Sequence, residues 1–314
     1  MPTSNKDKGY VMKKIAIMLA VVLGFSIIPS QATANQKPSI VIIDTAFDTT
    51  VPELQGKVIY EVCVIEGTSC PNGSGFQEGV GSASLPSAIA LSGGFEHGTY
   101  MATVATTVNP NANLILIRIA GINKSNRMLS ASPNAITMAL NWVRNNTTKY
   151  NIVATSTSMS NTVFNRTGNY CRISADLQSA IISLQSLNVA AVFSAGNTRD
   201  IARVSYPACI PQAIAVGATN YSETTNTGIV NPISLASAGG PDLDFYALGS
   251  WQIRLTRMNG QTSPATAAFA ANWAKQVVKL GTADYNTIYN ALRSNAKPAS
   301  NQFVSSNLFV DVLG

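Results

Sequence analysis

The sequence predicts an α/β domain of three layers, with a mostly parallel central sheet and helices on both of its faces. Three observations predict it. Continuous apolar runs of strand length recur along the chain, apolar residues at helical spacing lie between them, and 46% hydrophobic residues in 314 are enough for one sizeable core. Neither an internal repeat nor a second domain is evident.

The first strand is expected over Ser39 to Ile43 (SIVII), an apolar run reading as a strand buried on both faces and ending on Asp44. A polar group at the carboxyl end of such a strand faces the crevice where α/β folds bind ligands. Gly67 to Gly94 is rich in Gly, Ser and Pro with little periodicity, and reads as surface loop. Leu114 to Ile119 (LILIRI) is the next strand. Ser132 and Pro133 then open a helix carrying Ile136, Leu140 and Val143, with serine as N-cap and proline in the first turn. The alternation continues with a strand over Asn151 to Ala154, a helix over Ala175 to Leu187, and strands over Val189 to Phe193 and Ala213 to Gly217. A helix follows Ser263 through Ala267, Phe269, Ala270, Trp273 and Val277, and a last one covers Tyr285 to Arg293.

The segment from Met12 has two lysines, an apolar run from Ile15 to Ile28, and Ala32-Thr33-Ala34 before a polar stretch. This is the pattern of a secretory signal peptide, expected over residues 1–34 with Met12 as an alternative start, and it predicts a secreted or periplasmic protein. The run falls short of the roughly 18 apolar residues of a spanning helix, so no membrane association is expected after cleavage. Residues 1–34 hold four lysines and one aspartate, half of the net charge of +6. The remainder has no Lys/Arg cluster, which excludes nucleic acid as a partner. Four cysteines, Cys63, Cys70, Cys171 and Cys209, in an exported chain favour disulfides over metal ligation. Three pairings are open; Cys63 with Cys70, closing a short Gly/Ser-rich loop, and Cys171 with Cys209 are preferred.

Hydrolysis by a serine nucleophile needs a hydroxyl, an imidazole to take its proton, a carboxylate to orient the imidazole, and donors for the oxyanion. His97 is the chain's only histidine, so any mechanism with an imidazole base must use it. It stands in HGTYMATVATTVNPNANL, which resembles the His-Gly-Thr stretch of the subtilisin family. Three further segments resemble the same family in the same order: SIVIIDTAFD around Asp44, VAAVFSAGN ending at Asn197 with the following YPACIPQAIAVGATN, and GQTSPATAAFAA around Ser263. With LDFYALG from Leu243 to Gly249 they span most of the chain after residue 34.

The resemblance implies a subtilisin-like three-layer fold and a serine endopeptidase. Its residues would be Asp44 as orienting carboxylate, His97 as general base and then acid, Ser263 as nucleophile and the Asn197 amide as oxyanion donor. Taken singly, Asp44 reads as a strand-end acid, Ser263 as an N-cap and Asn197 as a turn residue. Their conjunction in family-like segments reverses those readings. An α/β-hydrolase would place its histidine after the serine within a G-x-S-x-G elbow, and a chymotrypsin-like enzyme would be all-β with aspartate between histidine and serine.

Three departures from the family pattern carry expectations. Gln261 stands where the family has glycine two residues before the serine, Ala267 where it has proline, and Pro264 follows Ser263, which disfavours helical backbone at the serine. Only Asn35 to Pro38 separate the expected cleavage site from the first strand. That leaves no room for a propeptide, and the chain is expected to fold unaided or to be restrained by a separate inhibitor or folding partner. The substrate-pairing segment falls in ATSTSMSN, where Ser156 and Ser158 both fit; with Gly196 they form the expected substrate-binding set, in an open pocket without a buried charge. A monomer acting on peptide or protein substrate is expected, with no redox or organic cofactor and no metal ligand. Structural calcium is frequent in the family, but no Asp/Asn loop for it is apparent. The competing class is a peptide-binding protein that keeps the cleft without turnover, motivated by Gln261 and Pro264.

Overall fold

The first strand, β1 (Ser39–Asp44), is buried at every position, as its unbroken apolar run requires. It lies between two parallel neighbours, β4 (Asn113–Arg118) and β7 (Ile152–Thr157), with Ile42 opposite Leu116 on one side and Ser156 on the other. The computed structural model describes residues 36–67, 69–160, 171, 174–221 and 231–313, all of them in one compact unit. The expected signal segment lies outside the described residues.

The sheet runs β13-β14-β10-β9-β8-β7-β1-β4-β2-β3. Here β2 is Val58–Val64, β3 Phe76–Glu78, β8 Ala190–Ser194, β9 Ile214–Thr219, β10 Phe245–Leu248, β13 Lys297–Ser300 and β14 Ser305–Phe309. Interior pairings are parallel and the two edge pairings, β2 with β3 and β13 with β14, are antiparallel. Two small hairpins, β5 (Gly121–Ile122) with β6 (Met128–Leu129) and β11 (Trp251–Ile253) with β12 (Thr256–Met258), stand apart from it.

Strand alternation sorts the core into two layers. Ile40, Ile42, Leu114 and Leu116 share one cluster with residues of α2 (Glu96–Val108) and α5 (Thr262–Leu280). Val41, Ile43, Ile115 and Ile117 share the other with residues of α3 (Pro133–Tyr150) and α4 (Ala175–Ser186). Among the described residues the remaining α-helices are α1 (Ser87–Ala90) and α6 (Tyr285–Ser294). The α3 cap is as expected: the Ser132 hydroxyl accepts from the Ala135 N–H at 3.0 Å, with Pro133 at the first helical position.

The stretch from Gly67 to Gly94 departs from its reading as surface loop. It contains β3 and α1, and Ser82, Ala83 and Ala90 are buried. Its organiser is remote in sequence. The Glu61 carboxylate accepts from the Gly81 and Ala83 N–H groups and the Ser84 hydroxyl, and Trp142 donates its Nε1–H to Glu78 at 2.7 Å.

Both preferred cysteine pairings are present, Cys63–Cys70 and Cys171–Cys209, separated by 7 and 38 residues. Chain-entropy reasoning ranks them: the longer loop contributes about 4 kcal/mol and the shorter about 2.5 kcal/mol. Denaturant unfolding of the Cys171→Ala/Cys209→Ala and Cys63→Ala/Cys70→Ala double variants should therefore show the larger loss in the first.

Candidate active site

Asp44 closes β1 on the same face as Ile40 and Ile42, the face covered by α2 and α5, and the parallel strands β4 and β7 flank β1 on its two sides. The carboxylate is fully buried. One oxygen, Oδ1, accepts from the Thr45 N–H and from His97 Nδ1, each at 2.7 Å. The other, Oδ2, has no partner among the described residues.

His97 is the second residue of α2, and the residues after it explain how the helix comes so close. A Cβ at Gly98 would collide with the carbonyl oxygen of Ala46, so only glycine lets α2 seat against the turn after β1. The Gly98 N–H donates to Thr45 Oγ1 at 3.1 Å, Thr45 Oγ1 donates to the Phe95 carbonyl at 2.9 Å, and Thr99 Oγ1 accepts from the Asp48 N–H at 3.0 Å. The His-Gly-Thr stretch is thus a clamp between α2 and the end of β1. The His97 side chain keeps 29% exposure. Burial pulls its pKa down, but the charge and hydrogen bond of Asp44, with Glu96, outweigh this and hold it above the ordinary value. Its Nε2 has no hydrogen-bond partner among the described residues.

Ser263 is the second residue of α5, whose N-cap is Gln261. The serine is therefore inside the helix, and the expectation that Pro264 would draw it from helical backbone is corrected. The first turn tolerates proline because its N–H groups lack intrahelical partners in any case, and α5 is buried continuously from Thr262 to Ala274. Gln261 provides no side-chain cap, the Thr262 N–H is taken by Asn197, and Pro264 has no N–H, so the Ser263 N–H, without a partner among the described residues, lies at the positive end of the helix dipole. No hydrogen bond joins the Ser263 hydroxyl to His97.

Asn197 follows β8 through Ala195 and Gly196. Its Oδ1 accepts from both the N–H and the hydroxyl of Thr262, at 3.0 and 3.1 Å. With the oxygen so assigned, the amide NH2 is a donor without a partner among the described residues, on an exposed side chain next to the residue that precedes Ser263. Gly196 has φ +103°, and a Cβ there would collide with the Ser205 side chain, so packing as well as backbone conformation calls for glycine. Of the two candidate serines, Ser156 lies within β7, 1% exposed and with its hydroxyl unpartnered. Ser158, just past the strand, donates to the Ser263 carbonyl at 3.4 Å. The structure brings together His97 with Asp44, Asn197 with Thr262 and Ser158 with Ser263. Ser156 is left within the sheet. Thr45, Thr99 and Thr262, whose hydrogen bonds hold these residues in place, are not singled out by the sequence; each adjoins or closely follows a residue that is.

The sequence profile of the Subtilase family matches residues 35–309. The chain belongs to the subtilase family. Among solved structures it is similar to sphericase (TM-score 0.66, 18% identity, covering 88% of this chain and 92% of that one). It is similar also to proteases from Pseudoalteromonas arctica (TM-score 0.65, 17% identity, 90% of each chain) and to a lanthipeptide protease (TM-score 0.62, 16% identity, 87% and 85%). At these identities the likeness is one of fold, and it matches the subtilisin-like three-layer arrangement expected of this subtilase. No curated protein sequence matches it at a significant level. Membership supports a serine peptidase. Among the described residues no three His, Cys, Asp or Glu side chains group as metal ligands, so no calcium site is assigned in this subtilase. Among them, too, no helix is long and apolar enough to cross a membrane.

Replacing Gly98 by alanine forces the α2 clamp open. The variant should lose about 1–3 kcal/mol, the cost of overpacking a close contact, and a thermal melt should show its midpoint several degrees below that of the starting protein.

Proposed function

We propose that this subtilase is a secreted or periplasmic serine endopeptidase acting through Asp44, His97 and Ser263, with Asn197 as an oxyanion donor. The observation that carries the proposal is the pairing of the chain's only imidazole with a fully buried carboxylate at 2.7 Å. A buried acid on Nδ1 fixes the tautomer that leaves Nε2 free to accept a proton, which is what a general base for a serine hydroxyl requires.

In the proposed reaction Ser263 Oγ attacks the substrate carbonyl carbon as His97 Nε2 takes the hydroxyl proton. The oxyanion is met by the Asn197 NH2 and the Ser263 N–H at the start of α5, donors held in place before the charge develops. His97 then returns the proton to the departing amine, and water repeats the sequence on the acyl-enzyme. The serine and imidazole approach to hydrogen-bond distance when substrate is bound, as apo geometry in such sites is commonly loose. Substrate backbone on the acyl side is assigned to the end of β7 at Ser158, with Gly196 beside it. Two disulfides and the pattern of residues 1–34 support export.

A fluorophosphonate probe should label Ser263 of the folded chain, and casein should be cleaved by the chain and not by its Ser263→Ala variant. Asn197→Ala should lower kcat by roughly 10²–10³-fold with a smaller change in KM, the range for one lost oxyanion donor. A folded, unlabelled and inactive chain would instead support a peptide-binding role for the same cleft.

A further inference from the structure

His97 and Ser263 are carried by different helices, and each helix is tied to a different part of the sheet. His97, in α2, is anchored at the turn after β1, whereas Ser263, in α5, is anchored through Thr262 to Asn197 after β8. No hydrogen bond joins the two side chains, so their separation depends on how α2 meets α5 and the hairpin leading into it. Among the described residues two hydrogen bonds make that connection. At the far end of α2 the Asn109 amide donates to the Ala271 carbonyl at 3.3 Å. At the near end the hydroxyls of Tyr100 and Thr256 share a hydrogen bond of 3.0 Å.

We propose that the Tyr100–Thr256 hydrogen bond sets the spacing of His97 and Ser263, and that Tyr100 is a positioning residue for the proton transfer between them. The proposal rests on the serine-peptidase reading of the site.

Tyr100 is placed to act on His97. It lies one turn further along α2 on the same side of the helix, about 4.5 Å along the axis, whereas Asn109 is roughly 18 Å along it. At that distance the Asn109 tie transmits little to the imidazole. The clamp around Gly98 fixes the start of α2 to β1, and not to the segment that bears Ser263. The Tyr100 ring is half-buried and packs against the cluster that contains Trp251, Ile253 and Met258 of the β11–β12 hairpin. Its hydroxyl therefore stands at the end of a fixed stem.

Thr256 is placed to act on Ser263. It opens β12 opposite Ile253 of β11, and β12 ends at Met258, five residues before the serine. The turn between them is held at successive positions. The Gly260 N–H donates to Ser250 Oγ at 2.8 Å and the Gln261 N–H to the Gly249 carbonyl at 3.0 Å. Gly260 has φ +57°, and a Cβ there would collide with Asn220 Oδ1. A shift of Thr256 therefore passes to Ser263 through fixed backbone, with no slack loop to absorb it. Both residues of the pair are half-buried, so water can take the place of either lost hydroxyl and the fold survives the loss.

The test compares the rates at which a fluorophosphonate labels Ser263 in the full chain, a step in which Ser263 Oγ bonds phosphorus, fluoride leaves and His97 takes the hydroxyl proton. Tyr100→Phe keeps the ring and removes the hydroxyl, and should slow labelling about three- to tenfold, the range of one hydrogen bond. Thr256→Val should slow it equally, the double variant should slow it no further, and Thr256→Ser should restore the original rate. In peptide hydrolysis the loss should fall on kcat, with KM unchanged. Asn109→Ala, which cuts the far tie, separates spacing from stability: its melting midpoint falls at least as far as that of Tyr100→Phe while its labelling rate stays close to the original. Melts of every variant establish that it is folded. Unchanged labelling in Tyr100→Phe, additive losses in the double variant, a loss carried by KM, or equal slowing in Asn109→Ala overturns the proposal and leaves the peptidase reading standing. A folded, unsubstituted chain that is neither labelled nor active on casein overturns that reading, and the proposal with it.

Discussion

The burial of Asp44 is the constraint around which the site is arranged. A carboxylate with no exposure costs several kcal/mol to desolvate unless it is met by donors, and here one oxygen receives both of them, the Thr45 N–H and His97 Nδ1. The strand that carries it is enclosed by parallel neighbours, so it cannot turn outward to water. The imidazole must come to it, and α2 is held where that is possible by the glycine that admits the Ala46 carbonyl and the two threonines that clamp each side of the turn. Loss of the imidazole would leave a buried acid with a single backbone donor, so His97 contributes to the fold as well as to the chemistry proposed for it.

The helix that bears Ser263 solves a different problem. The chain binds α5 through Asn197, whose amide oxygen takes both the N–H and the hydroxyl of Thr262. One interaction thereby orients the amide donor and seats the first turn that bears Ser263. Pro264 fits because a first turn has no intrahelical bond for it to break, and the buried alanines that follow hold α5 between α2 and the sheet.

Most strands and helices of the core were legible because their signals are local. SIVII, LILIRI and VAAVF are buried runs of strand length, and Ser132-Pro133 is a complete helix start. The order of Asp44, His97, Asn197 and Ser263 was legible through the segments around them. What was not legible depends on partners far apart in sequence. The 67–94 stretch has no periodicity of its own and is organised by Glu61. The choice between Ser156 and Ser158 turns on which lies past the strand end, a boundary that alternation alone does not mark. The Pro264 expectation weighed a dipeptide preference without the tertiary anchor at Thr262.

Because the chain has one histidine, the pair at the centre of this account can be observed directly. Untagged, ¹⁵N-labelled protein gives one imidazole to titrate by NMR. The midpoint is expected above the ordinary 6.5, held there chiefly by Asp44, and should fall in the Asp44→Asn variant, where burial is opposed only by the charge of Glu96. A midpoint at or below the ordinary value that the substitution leaves unchanged would contradict it.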